Sequence, residues 1–195
     1  MSFSCGIALL RGINVGRAKR IAMADLRTLF EELGFTGVRT VLNSGNVVFG
    51  SPALTPAASA KVIEDALVER TGVVSRVTVL SAHELAMVVA GNRLVELSTD
   101  HARLVTFIVS GDEPGEAGGG LLERLAPLAT QDWAPGALAI GKRAAYVWCP
   151  SGVLDSTAAA AVGKLLGDAT TARNWNTLCK LHALCTQASQ ADCAT

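Results

Sequence analysis

Residues 3–10, FSCGIALL, are apolar almost throughout and read as a buried strand. Over residues 23–33 the spacing changes. Leu26, Leu29, Phe30 and Leu33 recur three and four apart, which predicts a helix, and Gly34 supplies its stop. Two β-rich runs follow at 38–42 and 47–49. They are joined by Asn43-Ser44-Gly45-Asn46, a hairpin signal with Ser44-Gly45 at the turn. Pro56 opens a helix to about residue 70 with Ala60, Ile63, Ala66 and Leu67 on its inner face. Gly72 closes that helix, and residues 73–80 read as another strand. The order strand, helix, strand, strand, helix, strand is the split βαβ plan of ferredoxin-like domains. Ser81 with Glu84 three residues later predicts a capping box for a helix over 81–89.

A second, similar cycle follows. It comprises a strand at 104–109, a Gly-rich acidic connection at 111–120 and a short helix at 121–128. A hairpin at 137–140 and 144–148, turned by Gly141-Lys142-Arg143, comes next, then an Ala-rich helix at 155–166. A final helix is expected from Thr171 to about Gln187, with a frayed tail beyond it. The fold class is therefore α+β, with two ferredoxin-like (split βαβ) subdomains packed together. Residues 1–95 form the N-terminal βαββαβ subdomain, and residues 96–195 form a C-terminal α+β subdomain with the terminal helix.

Composition sharpens this picture by exclusion. A chain of 195 residues that is 50% hydrophobic can bury a sizeable core. Lys plus Arg and Asp plus Glu both number 17, so the broad basic field of a nonspecific nucleic-acid binder is missing. The five cysteines, Cys5, Cys149, Cys179, Cys185 and Cys193, are odd in number and form no Cys-x-x-Cys pair. Reduced thiols and a cytoplasmic location are expected. Arg11 interrupts the apolar start too early for a signal peptide, and no stretch approaches a membrane span.

Three polar motifs stand at element ends. In Ala8-Leu9-Leu10-Arg11-Gly12-Ile13-Asn14-Val15-Gly16 an apolar strand ends in a guanidinium, glycines and an amide. Arg11 has the fork geometry that suits carboxylate or phosphate, and Gly12 and Gly16 let the backbone turn or approach a ligand. The same residues also suit a surface loop in which Asn14 takes a left-handed turn. The pattern is neither G-x-G-x-x-G nor a P-loop. Arg17, Lys19 and Arg20 extend the basic character of the loop. Ser44, Gly45 and Asn46 offer a hydroxyl and an amide at a hairpin tip, and they equally satisfy ordinary turn chemistry. In Thr170-Thr171-Ala172-Arg173-Asn174-Trp175-Asn176-Thr177, either threonine would cap the last helix beside Arg173, a natural anion site. Trp175, Leu178 and Leu181 would form its buried stripe. Cys179, His182 and Cys185 lie three apart on that helix but lack the fourth ligand of a zinc site, so no metal is expected.

The strings ALLRGINVG, GFTGVRT-VLNSGNVVF and TARNWNT-LCKL resemble a bacterial family catalogued as domain of unknown function 1697. The resemblance runs from about Gly6 to Leu184. It implies a cytoplasmic, two-part α+β protein of ferredoxin-like character, and it implies no substrate, cofactor or catalytic residue. Its motif positions correspond here to Arg11, Gly12, Asn14, Gly16, Ser44, Gly45, Asn46, Arg173, Asn174, Trp175 and Asn176. Ala172 stands where a second threonine is expected, and the loop at 115–120 is unusually rich in glycine.

The reading that joins these motifs is a small-molecule binding protein. Arg11 and Arg173 would neutralise a phosphate or carboxylate, while Asn14, Ser44, Asn46, Asn174 and Asn176 orient it in a polar cleft between the halves. An enzyme of this kind would act by transfer or hydrolysis with arginine stabilising the developing charge, although no general base and no cofactor stand out. A nucleic-acid-binding module is the alternative, but it needs exposed aromatics on central strands, where Phe49 and Phe107 are expected in the core. A third alternative is a self-associating scaffold without catalysis, which a monomeric gel-filtration mass would remove.

Overall fold

The computed structural model of the chain describes residues 3–15, 19–51, 54–110 and 117–192. Two compact units emerge, Met1–Leu85 with Leu181–Thr195, and Ala86–Lys180. The first contains β1 (Phe3–Leu10), α1 (Met23–Glu32), β2 (Thr36–Val41), β3 (Asn46–Ser51), α2 (Pro56–Thr71) and β4 (Val77–Ser81). Its antiparallel sheet has the order β2-β3-β1-β4, the ferredoxin-like arrangement that the split βαβ pattern predicts.

Local chemistry sets the element ends in this unit. The Thr55 hydroxyl accepts from Ala58 N, with Pro56 in the first turn of α2, and Gly72 closes that helix at φ 66°. Strand alternation then sorts β1 into two faces. Ala8 and Leu10 join Phe30, Phe35, Phe49, Ile63 and Leu67 in the core under the helices. The three phenylalanine rings lie with centroids 4.6–5.5 Å apart in tilted and edge-on pairs. Ile7 and Leu9, on the opposite face, are fully buried as well.

The helix α3 (Ala82–Ala90) follows β4 and opens on the expected capping box. Ser81 N donates to Glu84 Oε2 at 2.8 Å and Glu84 N donates to Ser81 Oγ at 3.2 Å. The second unit then holds β5 (Leu104–Val109), α4 (Ala117–Glu123), α5 (Ala126–Ala129), β6 (Ala137–Ile140), β7 (Ala144–Trp148), α6 (Thr157–Leu166) and β8 (Thr170–Asn174). Its sheet order, β6-β7-β5-β8, repeats that of the first unit strand for strand. Val105, Phe107, Val109, Ala145, Val147 and Val162 form its helix-side core. The last helix, α7 (Trp175–Asp192), starts in the second unit and re-enters the first at Leu181.

Several expectations are corrected. The expected helix over 121–128 is two short ones, α5 starting at the Pro127 turn. The strand expected from residue 73 begins at Val77, and Val74 is exposed. The larger change concerns residues 170–174, expected to open the last helix. They form β8, paired antiparallel with β5 from Val105↔Asn174 to Val109↔Thr170. Two adjacent β-branched residues favour extension, and Thr170 Oγ1 donates to Ile108 O at 2.8 Å. α7 therefore begins at Trp175 and continues past residue 187 to Asp192. The acidic connection at 111–116, Gly16, Arg17 and Cys193 lie outside the described residues.

Candidate functional site

The first two polar motifs meet inside the first unit. Asn14 adopts a positive φ of 56° and spends its side chain on the protein. Its Nδ2 donates to Ile21 O and to Asn43 O, both at 2.9 Å, and its Oδ1 accepts from Ile21 N at 2.9 Å. Asn14 N also donates to Lys19 O at 3.0 Å. The amide thus ties the loop after β1 to itself and to the β2–β3 turn. Gly45 makes the junction tight: a Cβ there would sit 2.7 Å from Ile13 Cδ1 and 2.9 Å from Leu10 Cβ, and its φ is 73°. Leu10 N donates to Gly45 O at 2.8 Å. Asn46 is fully buried, with Nδ2 donating to Val41 O at 2.8 Å and to Ser44 Oγ at 3.0 Å. Gly12 turns the chain at φ 67°. Arg11 is half-buried and anchored by its backbone, N donating to Arg76 O and O accepting from Ser75 Oγ, both at 2.9 Å.

The third motif lies in the second unit. On β8, Arg173 pairs in register with Thr106 of β5, which in turn pairs with Tyr146 of β7. Directly opposed residues of antiparallel strands share a sheet face, so the guanidinium, a hydroxyl and a phenol stand in one row. Arg173 Nη1 donates to Thr171 Oγ1 at 3.0 Å and to Ala172 O at 2.8 Å. Burial pulls its pKa down to about 10, so the group is still charged at neutral pH. Thr106 is fully buried and its Oγ1 has no hydrogen-bond partner among the described residues. Tyr146 donates its hydroxyl to Val88 O at 2.7 Å, and desolvation pushes its pKa up to about 12. The row around Arg173 was invisible in the sequence because the register of β5 against its neighbours sets it.

Asn174, not Thr170 or Thr171, caps α7. Its Oδ1 accepts from Thr177 N at 2.9 Å and from Thr177 Oγ1 at 2.7 Å. Asn176 is exposed on the first turn. Trp175, Leu178 and Leu181 are buried, as the helical spacing predicts.

A further concavity in the second unit, about 90 Å³, lies where β7 ends and α6 begins. Trp133, Cys149, Asp155 and Ser156 are among its lining residues, and none of the predicted site residues is. Its one charged side chain is the Asp155 carboxylate, which disfavours an anion there. Cys149 is buried and its pKa is raised by desolvation, the mark of an inert thiol. On α7, Cys179 is exposed whereas Cys185 is buried. Among the described residues no group of three or more His, Cys, Asp or Glu side chains is arranged to hold a metal, and no helix is long and apolar enough to cross a membrane. Phe49, Phe107, Tyr146 and Trp148 on the sheets are all buried, so they present no base-stacking face.

Comparison with known proteins agrees with this architecture. A structure entitled conserved bacterial protein SP0830 from Streptococcus pneumoniae is similar with a TM-score of 0.69 at 20% identity, over 93% of this chain and 98% of that one. At that identity the likeness is one of fold. No curated protein matches the chain. A family described as protein of unknown function (DUF1697) matches residues 4–146, a span that includes the first two motifs and stops before Arg173. With most of its length matched, the chain belongs to the DUF1697 family.

Proposed function

We propose that the protein binds a small phosphate- or carboxylate-bearing molecule, with Arg173 as its charge partner and the polar start of α7 as its orienting wall. The observation that carries this reading is the half-buried guanidinium of Arg173, which strand register sets in one row with Thr106 and Tyr146. A charge partly shielded from water attracts an anion more strongly than a fully solvated one does. Thr171 and Ala172 fix one end of the fork, which pre-organises it. Asn176, exposed on the first turn of α7, and the amide nitrogen of Asn174, not needed by the cap, are the available neutral donors. Asn14 and Asn46 have their amide donors engaged in the first unit and act there as loop fasteners. In that unit Arg11 is the residue for a second, independent anion contact. A transfer or hydrolysis reaction on the ligand would draw on the electrostatic stabilisation a desolvated guanidinium supplies. A bacterial, cytoplasmic protein fits this reading.

The test is thermal denaturation with inorganic phosphate, and then with phosphorylated metabolites, at constant ionic strength. Stabilisation should follow RT ln(1 + [L]/Kd) and vanish in Arg173→Ala, with partial retention in Arg173→Lys because only the fork is lost. A stabilisation of the same size in Arg173→Ala, or one that sodium chloride reproduces, overturns the assignment. Arg11→Ala, measured in parallel, reports on the first unit alone.

A further inference from the structure

We propose that Cys5 and Cys185 form a latent disulfide site, a dithiol that an oxidant converts into a covalent clasp between β1 and α7. Cys5, like Ile7 and Leu9 on the same strand, is buried yet lies outside the helix-side core. Cys185 lies four residues beyond Leu181, one turn along α7 on the same buried stripe. Both cysteines are buried, with 3% and 1% of their surface exposed, and neither is in a disulfide. Their side chains hydrogen-bond to each other. The other described cysteines stand elsewhere: Cys149 bonds to Val147 O and Cys179 is exposed. Two sulfurs in mutual contact, brought there from opposite ends of the sequence, are what distinguishes this pair.

The chemistry balances with a peroxide as oxidant. One sulfur, having lost its proton, attacks a peroxide oxygen; the O–O bond breaks, leaving a sulfenic acid and one water. The second sulfur then attacks the sulfenic sulfur, the S–O bond breaks, and the S–S bond forms with release of a second water. Two thiols are oxidised by two electrons and the peroxide is reduced to water. The neighbouring Cys5 thiol and burial push the Cys185 pKa upward, which keeps the thiolate scarce and the first step slower than at an exposed cysteine. Once that step has occurred, the nearest nucleophile is the partner thiol. The bond would enclose residues 5–185, almost the whole chain, and so restrict the unfolded ensemble strongly.

The experiment treats the full chain with hydrogen peroxide, then denatures it, alkylates it and maps its peptides. Before alkylation the expected product is a monomer lighter by about 2 Da, the mass of the two hydrogens lost on forming one disulfide, and the peptide map joins the Cys5 peptide to the Cys185 peptide. With Cys179 and Cys193 reversibly blocked during oxidation and unblocked before titration, the thiols counted in denaturant should fall from five to three. The melting temperature should rise, and dithiothreitol should reverse all three changes. Cys5→Ser and Cys185→Ser should each abolish the mass loss. The peptide map of the unmodified sequence decides the matter even if either variant fails to fold. Recovery of Cys5 and Cys185 both alkylated, after peroxide has fully oxidised exposed Cys179 in an unblocked sample, overturns the proposal, as does a mass loss that persists in Cys5→Ser.

Discussion

Asn14 holds the αL conformation at φ 56° and makes three side-chain hydrogen bonds across two segments. An amide does both tasks because it tolerates αL better than other non-glycine residues and offers donors and an acceptor on one short stem. Removing it by Asn14→Ala deletes all three bonds and leaves the αL strain. With each bond worth a net ~1 kcal/mol, the expected loss of unfolding free energy is about 2–4 kcal/mol. Urea denaturation measures it. Asn14→Gly should recover only the backbone share, and a wild-type midpoint in Asn14→Ala would remove the fastening role. Sequence reading identified this residue but left its role open between ligand contact and loop chemistry. Both uses draw on the same amide, and only the partners Ile21 and Asn43 separate them. Asn46 teaches the same lesson, since a hairpin-tip amide that suits a ligand or a turn alike is fully buried and bonded to Val41 O and Ser44 Oγ.

At the scale of elements, Tyr146 connects β7 to α3 through its bond to Val88 O. Glycines accommodate it: a Cβ at Gly91 would lie 3.0 Å from the Tyr146 hydroxyl, and one at Gly141 would lie 3.0 Å from its ring. Because burial raises the phenol pKa from 10.0 to about 12, the folded state holds the proton more tightly than the unfolded state does. The contribution is fully present below pH 10 and is lost as pH rises through about 12. Arg173, with its pKa lowered from 12.5 to about 10, acts in the opposite direction over an overlapping range, so the wild-type curve alone cannot isolate the phenol. The difference between wild type and Tyr146→Phe can. We expect Tyr146→Phe to cost about 1–3 kcal/mol at neutral pH through the orphaned Val88 carbonyl. The gap should narrow by roughly 2 kcal/mol between pH 8 and 11.5, on the 1.4 kcal/mol per pH unit scale. Denaturant titrations at pH 8, 10 and 11.5 test this, and a constant gap would count against it.

Elements were legible where periodicity or punctuation was strong. The β6–β7 hairpin around Gly141 falls where the sequence indicates, and the capping box at Ser81 is present as read. β8 was not legible, because its five residues are shorter than a helical window and the stripe of Trp175, Leu178 and Leu181 dominates the region. Its strand state depends on pairing with β5, a contact more than sixty residues away in sequence. The candidate site inherits the same limit. Arg173 was legible as a charge near a helix start, whereas its alignment with Thr106 and Tyr146 is a product of strand register.

On the scale of the whole molecule, the repeated sheet order makes two ferredoxin-like units, yet the chain does not divide into two consecutive pieces. The first unit is completed by residues that follow the second in sequence, because α7 re-enters it at Leu181. Leu181 is 0% exposed, so its truncation should carry both a transfer and a cavity cost, about 2–5 kcal/mol for a buried leucine. The location of the effect is the sharper prediction. In Leu181→Ala, hydrogen exchange should quicken at the amides of β1 and β4, which lie in the first unit although they precede position 181 by a hundred residues or more. Amides of β5 and β7, nearer in sequence but in the second unit, should keep their wild-type protection. Equal loss of protection in β5 and β7 would mean that this part of α7 supports both sheets alike, and the discontinuous first unit would have to be abandoned.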